Sequence, residues 1–437
     1  MVAKVDTAVV RLWGDVVGAV AWLEDGQYGV FEYDSEFVKK GLDISPIHMG
    51  LRDAMQGDRT FHFPGLKRET FLGLPGLLAD SLPDKFGNSI IDAWLMRQGR
   101  EKNSFSPVER LCYTGSRGMG ALEFEPSVNR QFDMHVSVEV ANLVTLAQQI
   151  MAERRRLDVS LGPVDRENAD ALMDIIRVGT SAGGARPKAI IAMNRENHII
   201  SGQGDVPEGY DYWILKFDGV DDLELGEPRG FGRIEYAYYL MAKKAGIAMS
   251  ECRLLEENGR AHFLTQRFDR RPGEKRHLQS LCGLAHYDFN MAGAFSYEQA
   301  FSIMRKLRLS KADAVQQFRR MVFNVMARNQ DDHTKNIAFL MGHDGVWRLS
   351  PAFDVTYSHN PAGKWTSMHQ MSIHGKRDDF TLDDLVAVAE SISISNSTLI
   401  IREILDAVAT WPQCAREAGV LEPVIRQIAA THRRIGS

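Results

Sequence analysis

Apolar and polar residues alternate over short runs at the start of the chain. Residues 8–12 and 16–22 flank Trp13-Gly14-Asp15, and 28–33 follow Asp25-Gly26. Alternation puts apolar side chains on one face of a strand, and the Gly-Asp and Asp-Gly pairs suit tight turns, so these runs predict a β-meander. Within 74–98, Leu77, Leu78, Leu82, Ile90, Ile91 and Leu95 recur at roughly helical spacing, and Pro83 predicts a break inside that helix. Residues 128–156 read as a linker and a helix, which places a boundary near 130.

Beyond residue 170 the pattern changes. Strands are expected at 174–178, 188–193 and 212–217, and a helix over 232–245 with Ile234, Ala237, Met241 and Ala245 on one face. Runs at 251–255 and 261–266 flank Asn258-Gly259, a strong hairpin signal. After residue 298 the spacing is helical, except for a hairpin pairing 337–340 with 346–349 across His343-Asp344-Gly345. These elements predict an α+β protein.

Four polar segments interrupt this pattern. Gly179-Thr180-Ser181-Ala182-Gly183-Gly184-Ala185 would let backbone N–H groups approach phosphate oxygens without Cβ clashes. It lacks the Lys-Ser/Thr of a Walker A loop and the G-x-G-x-x-G spacing, so alone it reads as a flexible turn. Lys216 closes the apolar strand Trp213-Ile214-Leu215, where an ammonium needs an anion or water, and Glu235 opens the next helix. A strand Lys followed by a helix Glu is the order of the kinase ion pair, against the plain reading of a snorkelling edge lysine. Asp331 and Asn336, five positions apart, match the D-x-x-x-x-N of a kinase catalytic loop. There the Asp takes the acceptor hydroxyl proton and the Asn holds a metal ion. Asp and Asn are also common turn residues. Pro351-Ala352-Phe353-Asp354 then places a carboxylate after the hairpin, where a kinase keeps its second metal ligand. Each segment alone has a bland explanation. Their order along the chain is that of a two-lobed phosphotransferase.

Composition removes other classes. The 437 residues carry a net charge of −5, which excludes a broadly basic nucleic-acid coat. No uncharged apolar stretch reaches the 18 residues of a membrane span, and Arg11 and Asp15 break the apolar content a signal peptide would need, so a cytoplasmic protein is expected. Cys112, Cys252, Cys282 and Cys414 have neither C-x-x-C nor metal spacing and read as reduced thiols.

At these residues the chain resembles the HipA family of serine/threonine kinases, toxins of bacterial type II toxin–antitoxin modules. The resemblance rests on Gly179 to Lys188, on Gln266-Arg267-Phe268-Asp269-Arg270, on Asp331-x-His333-x-Lys335-Asn336 and on Pro351-x-Phe353-Asp354, and the N-terminal runs also fit it. It implies a kinase-like fold of two lobes with a small β-rich N-terminal subdomain and an all-α C-terminal lobe. The parts would be a subdomain over 1–130, an N-lobe-like part with the Gly-rich loop over 131–270, and a mainly helical C-lobe over 271–437. It implies ATP and Mg²⁺ as cofactors and Asp331 as catalytic base, with Asn336 and Asp354 on the metal. Thr180, Ser181, Gly183, Gly184, Lys216, Gln266, Phe268, His333 and Lys335 would bind the nucleotide, and Ser181 would be autophosphorylated. Two letters depart from the pattern. Gln266 stands for an acidic hinge residue, and Asp332 stands where a Gly is usual, although the spacing to Asn336 favours Asp331 as the base. The resemblance further implies a protein substrate, such as an aminoacyl-tRNA synthetase, and a small helix-turn-helix antitoxin of HipB type. DNA would be reached only through that antitoxin. Two alternatives are a nucleotide-binding regulator without transfer activity and a small-molecule kinase of similar fold.

Overall fold

The computed structural model describes residues 4–97, 99–101, 104–127, 139–141, 143–144, 147–148, 187–219 and 230–436. The strand expected at 174–178 lies outside them. So does the glycine-rich segment with Thr180, Ser181, Gly183 and Gly184. The chain forms two compact units. The first is Met1–Ser45, Met49–Gly232 and Arg253–Leu278; the second is Pro46–His48, Arg233–Cys252 and Gln279–Ser437.

The first unit holds two five-stranded sheets. The expected meander is Thr7–Leu12, Asp15–Leu23 and Tyr28–Tyr33, all antiparallel, with Thr60–Phe61 beyond Tyr28–Tyr33 and Leu122–Glu125 beside Thr7–Leu12. The second sheet runs Ile199–Ser201, Lys188–Asn194, Tyr210–Lys216, Arg260–Gln266, Cys252–Glu257. Lys188–Asn194 is buried on both faces apart from its last residue, which suits the apolar run Ala189 to Met193. On one face Ala189, Ile191, Trp213 and Leu215 pack with Ile90, Ile91 and Leu95 of the helix Lys85–Arg97. Pro83 stands in the gap between that helix and the short helix Gly76–Ala79, where the break was expected. Asn258 and Gly259 both take positive φ, 46° and 77°, the requirement of a tight hairpin turn.

The second unit is mainly helical. Ser296, Ser310 and Thr381 each cap a helix through a reciprocal capping box, so the starts at Tyr297, Lys311 and Leu382 are written locally in the sequence. The buried face of Lys311–Met326 includes Phe318, Met321, Val322, Val325 and Met326. The expected hairpin is present as Ala338–Met341 and Trp347–Leu349, with Phe339 opposite Leu349. The strand His277–Ser280, whose last two residues belong to this unit, extends it to three strands. Among the described residues, no helix is long and apolar enough to cross a membrane.

Candidate active site

In the second unit the helix Lys311–Met326 delivers the chain to the segment 327–337. Arg328 takes a left-handed φ of 56°, which turns the backbone out of the helix. The Gln330 N–H then donates to the Ser358 carbonyl at 3.2 Å, and the Thr334 hydroxyl to the Tyr287 carbonyl at 2.7 Å. A single 3-10 turn, Thr334–Asn336, leads into the hairpin.

The two adjacent aspartates have opposite environments. The side chain of Asp331 is 40% exposed, and that of Asp332 is 1% exposed. Asp332 Oδ2 accepts from the Tyr297 hydroxyl and from His369 Nδ1, both at 2.8 Å, and Oδ1 accepts from the Gln370 N–H at 2.8 Å. Burial pushes its carboxyl up, but His369, the Gln370 N–H and the Tyr297 hydroxyl outweigh that and hold it below the usual carboxylate range. Asp332 is an anchor, saturated and out of reach of solvent. Asp331 Oδ1 accepts from the Trp365 indole at 2.6 Å and lies 3.7 Å from His333 Nε2.

Asn336 donates through Nδ2 to the Asp331 carbonyl at 2.8 Å. That bond ties the two ends of the loop and leaves the amide oxygen as the prong able to face a cation. Asn336 and Asp354 line one small cleft, with Asp332, Asn324, Asn329 and Arg320 around them. Asp354 adopts φ 51°, a left-handed conformation that Asp and Asn tolerate better than other L-residues. An amide oxygen and a carboxylate are hard donors. Mg²⁺ typically takes one or two such protein ligands and fills its octahedron from phosphates and water, so these residues fit that ion. Arg320 is buried at the same cleft, donates to the Ser350 carbonyl at 2.5 Å, and is pushed down to about 9 by that burial. On the loop itself, Lys335 Nζ sits 5.3 Å from the centroid of the Phe289 ring, and His333 tilts against the same ring at 5.3 Å.

The remaining sequence candidates divide between the units. In the first, Lys216 ends its strand directly opposite Phe263 on one side and Lys188 on the other. Its Nζ lies 5.6 Å from the Phe263 ring centroid. Two lysines directly opposed repel, and Lys188 is offset by Asp84 at 3.5 Å, both side chains being buried. Gln266 ends the neighbouring strand and Phe268 follows it, both half-buried. The residues between and after them are the structural part of that motif. Arg267 forks onto Asp269 at 3.0 and 2.7 Å, and the Gly120 N–H donates to the same carboxylate at 2.7 Å. Burial would raise the Asp269 carboxyl, and the Arg267 guanidinium brings it below its usual value. Gly120 has φ 80°, and a Cβ there would lie 3.1 Å from the Leu278 nitrogen, so this approach needs glycine. Glu235 is buried on the helix Phe231–Lys244 and belongs to the second unit, whereas Lys216 belongs to the first.

Sequence reasoning missed Tyr297, His369 and Gln370, which hold the loop, and Trp365, which reaches Asp331. They stand 34 to 38 positions from the aspartates they bind. No local spacing marks them. Arg320 was also missed, because on the helix pattern it reads as a polar-face residue.

A family model described as the HipA-like C-terminal domain matches residues 180–412, more than half of the chain. A second, described as the HipA N-terminal domain, matches residues 8–125. No curated protein sequence matches the chain. Among solved structures, a chain of the Shewanella oneidensis MR-1 toxin–antitoxin complex of HipA, HipB and operator DNA is similar over 97% of this chain and 94% of its own. The identity is 17% and the TM-score 0.64, a likeness of fold. The Helicobacter pylori proinflammatory kinase CtkA is a distant likeness, with 13% identity, 57% of this chain and 92% of that one covered, and a TM-score of 0.33. With both domain models matched in their order along the sequence, the chain belongs to the HipA family.

Proposed function

We propose that the protein is an ATP- and Mg²⁺-dependent serine/threonine protein kinase of the HipA toxin type. The observation that carries this reading is the contrast within one loop. Asp331 keeps a half-exposed carboxylate, Asp332 is buried as its anchor, and Asn336, tied to the Asp331 carbonyl, shares a cleft with Asp354. In this mechanism Asp331 accepts the proton of the acceptor hydroxyl as its oxygen bonds to the γ-phosphorus, and the bond to the ADP oxygen breaks. Asn336 and Asp354 would hold the Mg²⁺, which would supply charge neutralisation at the phosphates. Lys216, His333 and Lys335 are the proposed phosphate contacts, with Thr180, Ser181, Gly183 and Gly184 on the glycine-rich loop. Gln266 and Phe268 lie nearest the adenine in this reading, and Glu235 is the proposed partner of Lys216. The proposed parts are an N-terminal subdomain over 1–130, an N-lobe-like part over 131–270 and a C-lobe over 271–437. The acceptor is a protein, an aminoacyl-tRNA synthetase being the class to try first. A small helix-turn-helix antitoxin of HipB type is the proposed partner, with DNA reached through it and the pair acting in the cytoplasm.

Two tests belong here. Asp354→Asn keeps the side-chain shape and suits the left-handed backbone, so it removes charge alone. It is expected to weaken ATP binding about tenfold or more in the presence of Mg²⁺ while leaving the Mg²⁺-free titration unchanged. Equal Mg²⁺-dependent titrations in both proteins would remove Asp354 from the metal.

The second concerns the loop. A phosphoserine at 181 adds about −1.5 to −2 charges to a segment proposed to cradle ATP phosphates, so its formation should lower ATP affinity and silence the enzyme. Incubation with Mg²⁺ and ATP, followed by mass spectrometry, should place phosphate on Ser181, and Ser181→Ala should abolish that signal. Phosphate on Thr180 alone would refute the assignment. ATP binding without transfer to the chain itself or to any added protein would favour the non-transferring regulator instead.

A further inference from the structure

Trp365 stands on the turn 360–366. The Asn360 N–H closes it on the Thr366 carbonyl at 3.1 Å, and the Gly363 N–H on the Asn360 carbonyl at 2.9 Å. Gln370, buried, bolts this turn to the loop of Asp331. Its backbone N–H donates to Asp332, and its side-chain NH₂, with two protons to give, lies within reach of the carbonyls of Trp365, Met368 and Gln330. Both partners of the contact between Trp365 and Asp331 are therefore fixed to the same buried carboxylate.

The contact itself is directional. Indole is a donor only, so its 2.6 Å bond requires Asp331 Oδ1 as acceptor. His333 faces the same oxygen at 3.7 Å, and its ring packs edge-on to Trp365 at 6.3 Å. Among the described residues no hydrogen bond reaches Asp331 Oδ2. A half-exposed Asp without a brace would sample its three χ1 wells, and displacing a reacting group by about 1 Å costs on the order of 10²-fold in rate.

We propose that Trp365 is a positioning residue, which clamps the Asp331 carboxylate through Oδ1 and so presents Oδ2 to the acceptor hydroxyl. The proposal rests on the reading of Asp331 as the base. The rival roles for the same ring are plain packing, which would leave turnover unchanged, and occlusion of Asp331, which would make its removal activating.

Two measurements separate these. The first needs no activity. With ¹⁵N-labelled indoles, one of the seven tryptophan resonances should vanish in Trp365→Phe, and that same resonance should move upfield in Asp331→Ala. An unmoved resonance overturns the clamp. The second follows ³²P transfer from Mg²⁺-ATP into the protein's own chain and into dephosphorylated casein. Trp365→Phe, melting as the wild type does, should lose about tenfold or more in kcat with KM for ATP within twofold. A kcat within twofold of wild type, a kcat that rises, or a loss matched by an equal rise in KM would each overturn the proposal. Wild-type protein that transfers no phosphate sinks the kinase reading instead, and the indole spectrum still decides whether Trp365 holds Asp331.

Discussion

Replacing Asp331 by alanine is expected to leave the protein folded and to lower phosphate transfer by about 10²–10⁴-fold, the usual contribution of a positioned general base. The side chain is 40% exposed, so its removal opens no cavity and uncovers no buried charge. The Trp365 indole, half-buried, can bond to water in its place. Substitutions of that kind change stability by no more than about 0.5 kcal/mol. The backbone carbonyl of Asp331, which Asn336 uses, survives the substitution. The loop should therefore keep its shape, and ATP with Mg²⁺ should still bind with near wild-type affinity. The informative pattern is a normal melting curve, normal nucleotide titration and absent transfer. Near-wild-type transfer in Asp331→Ala would remove it from the reaction.

Much of this site was legible because its signals are local. The five-residue step from Asp331 to Asn336 survives in the structure as a bonded pair, the Asn336 amide on the Asp331 carbonyl. Asn258-Gly259 made its hairpin for a reason contained in two residues, both at positive φ. The double aspartate was a different matter. Asp331 and Asp332 carry the same chemistry in adjacent positions, and spacing alone favoured one without saying what the other does. What separates them is long-range: Tyr297, His369 and Gln370 arrive from other parts of the fold to fill one carboxylate and bury it. The same limit hid Leu122–Glu125, a four-residue strand whose pairing with Thr7–Leu12 spans over a hundred positions. It also hid the need for glycine at 120, which comes from a left-handed backbone packed against Leu278. Arg267, Phe268, Asp269 and Arg270 are adjacent in sequence, but Arg267 and Asp269 form a buried ion pair, whereas Phe268 stays half-buried beside them.

Asp332→Ala should behave in the opposite way from Asp331→Ala, losing stability first and activity as a consequence. Three donors converge on its carboxylate, and truncation would strand the Tyr297 hydroxyl, His369 Nδ1 and the Gln370 N–H without an acceptor in a dry interior. Each buried donor left unsatisfied in this way costs about 1–3 kcal/mol, so the three together cost several kcal/mol. For a unit of this size that is a fall of roughly 10 °C in melting temperature. Asparagine is not a safe substitute. Arg433 Nη1 lies 3.0 Å from His369 Nε2, and a guanidinium can only donate, so His369 must accept at Nε2 and carry its proton on Nδ1. All groups facing residue 332 are then donors or hydroxyls, and an Asn amide would set its own N–H₂ against the Gln370 N–H or against His369 Nδ1. Asp332→Asn should thus destabilise as well, though less than alanine because it leaves no cavity. The pH dependence has a defined sign. The Asp332 carboxyl lies below its ordinary value when folded, so its contribution is complete above pH about 4 and is lost as pH falls through the lower folded value. Wild type should lose stability in that acid range, and Asp332→Ala should lack that part of the loss. Thermal melts of the three proteins between pH 3 and 7 measure it. A melting temperature for Asp332→Ala within about 2 °C of wild type at pH 7 would mean that the carboxylate does not anchor the loop, and would return Asp332 to contention as the base.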